Sequence, residues 1–226
     1  MLHHLKLCKL DFSWYLNLYM KITKIKEDIT SEIAKSFKNS IAIDTEATGL
    51  QIPERDKLSL IQICDESGNI FIIQPNKKSY EAPNLVSVLE DEKVLKIGHF
   101  LRFDKNALEF FLKCKMRNIF DTKIASKIVR TYTDAHGLKN LVQEFCNKSI
   151  DKRQGSSDWN KDINELSDKQ LEYAANDVIY LHKIKKELEK MLLREKRFEV
   201  FERCLNFLDT RVELDQKGFK EDIFEH

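Results

Sequence analysis

The sequence predicts an α/β fold, a mixed central sheet of about five strands flanked by helices. Apolar, β-branched runs of seven or eight residues crowd the first half of the chain, and two of them are joined by a short Ser67-Gly68 turn signal. From Asp121 onward almost every stretch has helical periodicity instead. At 226 residues the chain is long enough to bury a sizeable core.

In chain order, residues 1–19 read as an N-terminal extension outside the fold, because Met20 opens "MKITKIKEDI", which looks like a domain start. One domain is expected over 20–226, since no repeat, low-complexity tract or Pro/Gly-rich linker divides the rest. "SIAIDTE" (40–46), "LSLIQICD" (58–65) and "NIFIIQP" (69–75) read as three antiparallel strands. "APNLVSVLEDE" follows as a helix with Pro83 near its start, then "VLKIGHF" as a short strand and "DKNALEFFLKC" as a helix. Ser167 and Gln170 form a capping box for the long pattern that runs to Phe198.

Composition narrows the function classes. Thirty-eight basic residues nearly cancel thirty-seven acidic ones, so net charge announces neither a nucleic-acid nor a membrane partner. The distribution is less even: between Lys93 and Arg153 fourteen basic residues face six acidic ones. That excess suits either a polyanionic partner or the solvated faces of helices. No apolar run reaches the ~18 residues of a membrane span, and the start of the chain lacks the cleavage pattern of a secretory signal. Five scattered cysteines without close pairing fit a reducing, cytoplasmic setting better than a disulfide or zinc framework.

The chemistry concentrates in acids at strand and helix ends. Asp44 and Glu46 are two apart on a strand, so both side chains project from one face near its carboxyl end. Paired carboxylates repel unless a cation joins them, and hard oxygen donors suit Mg2+ or Mn2+. The plain alternative is that one acid caps a turn and the other is solvated. Asp104 follows the later strand in "KIGHFLRFD". Tyr173 and Asp177 are four apart in "YAANDVIYLH" and therefore stack on one helical face, where a buried aspartate needs a partner.

Taken in order, "DTE" (44–46), "HFLRFD" (99–104) and "YAAND" (173–177) resemble the three motifs of the DEDD superfamily of 3'-5' exonucleases, in its tyrosine-containing branch. "SSDWN" followed by "LSDKQLEYAANDVIYLH" is similar to ribonuclease D, in a short, single-domain form. The resemblance implies a ribonuclease H-like fold and a two-metal-ion 3'-5' exoribonuclease acting on single-stranded 3' ends, RNA favoured. It implies Asp44, Glu46, Asp104 and Asp177 as ligands of two divalent ions, Mg2+ or Mn2+, and Tyr173 as the group that orients the attacking water. It further implies that Leu50 wedges against the last base and that Phe103 lines the sugar side; core packing is the other reading of Leu50. The alternatives are a 3'-5' exodeoxyribonuclease with the same site, or a catalytically silent nucleic-acid-binding module.

Phe100 departs from the pattern, since many relatives carry an asparagine there. His99 is the candidate replacement for its polar contact, set against a structural role for a histidine beside an apolar strand. Lys123, Lys127 and Arg130 lie between apolar helical positions and are expected either to grip backbone phosphates or to form a solvated helix face. Trp159 reads as core rather than as a base-stacking ring.

Overall fold

Residues that alternate between two apolar faces make the centre of the sheet. The computed structural model describes residues 21–52, 54–150, 157–219, 221 and 223, and the expected extension, residues 1–19, lies outside them. Strands β1 (Ile22–Lys26), β2 (Ser40–Ala47), β3 (Leu58–Asp65), β4 (Ile70–Gln74), β5 (Leu95–Gly98) and β6 (Ile119–Asp121) form one mixed sheet in the order β1-β4-β3-β2-β5-β6. β2, β3 and β4 are antiparallel neighbours, whereas β1 joins β4, and β5 joins β2 and β6, in parallel. The two strands that sequence patterning does not resolve, β1 and β6, are the edges: β1 interleaves its isoleucines with exposed lysines, and β6 is three residues long.

Helices α1 (Ser31–Ser36), α2 (Pro83–Glu90) and α3 (Arg102–Leu112) belong to one layer. Its core joins Ile41, Ile43, Ile61 and Ile63 of the sheet to Leu85, Leu89 and Leu108. The opposite face carries Ala42, Leu60, Ile70 and Ile72 and is covered by α4 (Thr122–Val129), α5 (Leu138–Leu141), α6 (Asp168–Ile179), α7 (Leu181–Arg194) and the start of α8 (Phe198–Gln216). The period-two alternation along β2 and β4 thus feeds two cores, one on each side.

Local signals explain several junctions. Asp65 accepts from the backbone N–H groups of Ser67 and Asn69, both at 2.9 Å, and Gly68 supplies the positive φ of 83° that this hairpin needs. Ser167 and Gln170 make the expected capping box of α6. The long helical pattern after it is interrupted at Tyr180, so α6 and α7 are separate helices. Lys96 is fully buried, and its ammonium donates to the carbonyls of Asp91 and Val94, each at 2.7 Å, in the connection between α2 and β5. Burial lowers its pKa to about 8. No helix of the described residues is long and apolar enough to cross a membrane.

Candidate active site

A cleft of about 710 Å³ opens where β2 ends, lined by Asp44, Glu46, Asp104, Tyr173 and Asp177 together with the loop from Thr48 to Leu50. Asp44 and Glu46 share the face of β2 occupied by Ala42, the face that α6 covers. Ala174 and Ala175 are buried in that interface, and such small side chains let α6 approach the sheet closely. Asp177, 5% exposed, is thereby carried to the two strand acids: one carboxylate oxygen from each of the three lies within 4.8 Å of the others. Tyr173, one turn earlier on α6, hydrogen-bonds Asp177. Burial, then the charges of Asp177, Glu46 and Asp44, push its phenol far above the usual tyrosine range. It remains a neutral O–H at physiological pH.

Asp104 stands apart from this trio. It lies in the first turn of α3, on the other side of the sheet, and accepts the Thr45 hydroxyl proton at 2.6 Å. Thr45 points away from Asp44 and Glu46 because it lies between them on the strand. Burial raises the pKa of Asp104 to about 7, against the lowering effect of the Thr45 bond. No motif singles out Thr45; the alternation of β2 is the signal that a residue between the two candidate acids faces the opposite layer.

Three clustered carboxylates without a cation are mutually repulsive, and their hard oxygen donors fit a divalent ion such as Mg2+. Gln62 sits opposite Asp44 in the β2–β3 register, fully buried, with neither side-chain polar atom hydrogen-bonded.

The walls of the cleft sort the remaining candidates. Leu50 is 84% exposed at the rim, which excludes core packing for it. Phe103 is half-buried, packed on the α3-side core while lining the cleft. Thr122 gives its hydroxyl proton to the Gly98 carbonyl at 2.9 Å, so the His99 Nδ1, 3.0 Å from the Thr122 Oγ1, donates to that hydroxyl oxygen. Trp159 is 3% exposed, belongs to the core and stands 5.9 Å from the Tyr173 ring, centroid to centroid.

Lys123 and Lys127 lie on α4, Lys127 exposed and Lys123 with its ammonium 4.0 Å from the centre of the Phe100 ring. Arg130, expected to grip phosphate, is 2% exposed instead. Its guanidinium donates to the Ser126 hydroxyl at 2.9 Å and the Ala135 carbonyl at 2.8 Å and pairs with Glu144. Those bonds fasten the loop after α4 and withdraw Arg130 from any strand-binding surface.

The model of a family described as 3'-5' exonuclease matches residues 20–193. The chain belongs to the 3'-5' exonuclease family. Within that family it is a ribonuclease D-like exonuclease of DEDD type. It is 36% identical over 159 residues to ribonuclease D from Haemophilus influenzae, covering 68% of this chain and 38% of that protein. Over 172 residues it is 33% identical to DNA polymerase I from Aquifex aeolicus, covering 74% of this chain and 27% of the polymerase. The chain thus spans well under half the length of these curated relatives. Among solved structures, Brucella melitensis NrnC is 44% identical with a TM-score of 0.85, the match covering 91% of this exonuclease and 98% of NrnC. NrnC has also been solved with bound Mg2+ and with bound pGG.

Proposed function

We propose that the chain is a divalent-metal-dependent exonuclease that removes nucleotides from the 3' ends of short single-stranded RNA. The observation that carries this reading is the meeting of Asp44, Glu46 and Asp177 within 4.8 Å beside the Tyr173 hydroxyl. The Mg2+-bound and pGG-bound structures of the similar NrnC support both the cofactor and a short oligonucleotide as substrate. Asp44, Glu46 and Asp177 would hold a divalent ion, and Asp104, which lines the same cleft, would complete the ligand set if a second binds. Bound there, the ions supply Lewis-acid activation of water and neutralise charge at the scissile phosphate.

The residues of the chain divide the remaining work. Tyr173 stays protonated, so it orients the attacking water by hydrogen bonding rather than acting as a base. Leu50 at the rim and Phe103 in the wall supply apolar surface for the terminal nucleotide. Lys127 adds positive charge beyond the cleft, a sequence-independent attraction for phosphate.

The test is to incubate the protein with 5'-labelled RNA and DNA oligonucleotides in Mg2+, Mn2+ or chelator. A ladder shortening from the 3' end of RNA, abolished by chelator, is the expected result. Preferential shortening of DNA, the reading favoured by the match to a DNA polymerase, would replace the RNA assignment; no shortening with either metal would sink the enzyme reading.

A further inference from the structure

Phe100 is unusual in backbone, exposure and company at once. Its φ of 69° lies in the left-handed region, where a side chain with a Cβ is strained and glycine or asparagine is at ease. The turn does not need a phenyl ring. Gly98 begins it, and a Cβ there would lie 2.1 Å from the Leu101 side chain. Buried Asp121 holds it by accepting the N–H groups of Phe100 at 3.2 Å and Leu101 at 2.7 Å. The same carboxylate caps α4 through the N–H groups of Lys123 and Ile124, which brings Lys123 against the turn.

Nor does the core need the ring. Phe100 is 45% exposed and belongs to neither hydrophobic cluster of the described residues. Together with Leu50 and Phe103 it forms a ridge between the active-site cleft and a second depression of about 380 Å³ that also touches Gln51, Arg102 and Asn106. The Lys123 ammonium lies over the ring, so a cation satisfies its quadrupole while the ring still presents apolar surface to the cleft.

We propose that Phe100, backed by Lys123, is a stacking platform for one nucleobase of the bound strand. The platform rests on the exonuclease reading above and specifies how that site holds its substrate. Stacking uses the π-face that every base possesses, so this contact is indifferent to sequence. It also assigns a binding purpose to backbone strain that no packing requirement explains.

Binding is measured by fluorescence anisotropy of a 5'-labelled RNA tetramer, with Ca2+ replacing Mg2+, using the intact strand and strands made abasic at each of the last three positions. For the wild-type chain one abasic position should weaken binding about 5- to 100-fold, the worth of a stacked base. Phe100→Gly should weaken binding of the intact strand by the same factor and erase that position's abasic penalty. Its melting temperature should hold or rise, because glycine relieves the strain. Phe100→Trp should bind like wild type, and Lys123→Met should lose about two- to fivefold. Undiminished binding by Phe100→Gly, or an abasic penalty that survives in it, overturns the platform. Cleavage is followed separately with Mg2+: a wild-type chain that shows the Phe100-dependent penalty but never cleaves overturns the exonuclease reading alone. One that cleaves with no such penalty overturns the platform alone, and absence of binding overturns both.

Discussion

The Thr45 hydroxyl donates to Asp104 at 2.6 Å, joining through one hydrogen bond the strand that carries two of the proposed metal-binding acids and the helix that carries a third. Thr45 faces the α3 layer while Asp44 and Glu46 face α6, so the site is assembled across the edge of the sheet. Replacing Thr45 with Val should cost about 1–3 kcal/mol at pH 8, where Asp104 is mainly ionised and loses a donor. The cost should be smaller at pH 5, where a carboxyl with a pKa of about 7 is protonated. Urea unfolding at the two pH values checks this; equal losses would show that the bond does not stabilise the charged form.

Metal addition should follow the same titration. Because burial lifts the folded-state pKa of Asp104 above the ordinary carboxylate range, this group's contribution to the stability of the metal-free chain falls as pH rises from about 4 to about 7. Divalent cations favour ionised carboxylates, so Mg2+ should raise the melting temperature more at pH 8 than at pH 5. A pH-independent shift would place the cation away from these acids.

Asp44→Asn and Asp177→Asn should each abolish cleavage while leaving the fold intact or slightly more stable, since each removes one of three crowded charges. Circular dichroism beside the cleavage assay separates the outcomes. Unfolding would make the acids structural.

Tyr173→Phe should lower turnover by about 10²- to 10⁴-fold with little change in KM, the usual range for a positioned proton-handling group. Because the phenol is held protonated by burial and three nearby carboxylates, no ionisation of Tyr173 should appear in the pH–rate profile below pH 10. Unaltered turnover with a lower melting temperature would make the ring a packing element against Trp159.

Arg130→Ala should destabilise the protein by about 2–4 kcal/mol, because its bonds to Ser126 and Ala135 are lost and Glu144 loses its partner. The salt dependence of RNA affinity should stay as in wild type, while Lys127→Ala should flatten it by up to ~0.7 logarithmic units. A flattened slope in the Arg130 variant would return that residue to the binding surface.

Lys96 provides a check remote from the cleft. Its folded-state pKa of about 8 lies below the ordinary 10.5, so the unfolded chain holds a proton that the folded chain has released between those values. Through this group stability rises as pH climbs from about 8 to 10.5. In Lys96→Met that rise should be missing, which differential unfolding across the window would reveal.

Much of the site was legible in the sequence because its local geometry is periodic. Two-residue spacing on a strand puts Asp44 and Glu46 on one face, four-residue spacing on a helix stacks Tyr173 and Asp177, and the ordered motifs point to the exonuclease family to which the chain belongs. The hairpin at Gly68 and the α6 capping box were legible for the same reason, since each is decided by residues within a few positions of one another. Tertiary packing alone decided the rest. Neither the edge strands β1 and β6 nor the break at Tyr180 follows from apolar periodicity, because an edge strand keeps polar side chains and a helix can change direction without a proline or glycine. The burial of Arg130 depended on Glu144 and Ala135 folding back over α4, and the separation of Asp104 from the other acids depended on which side of the sheet α3 packs. Periodicity assigns a side chain to a face of its own element; which other elements meet that face is settled by long-range burial of apolar surface, and no local spacing records it.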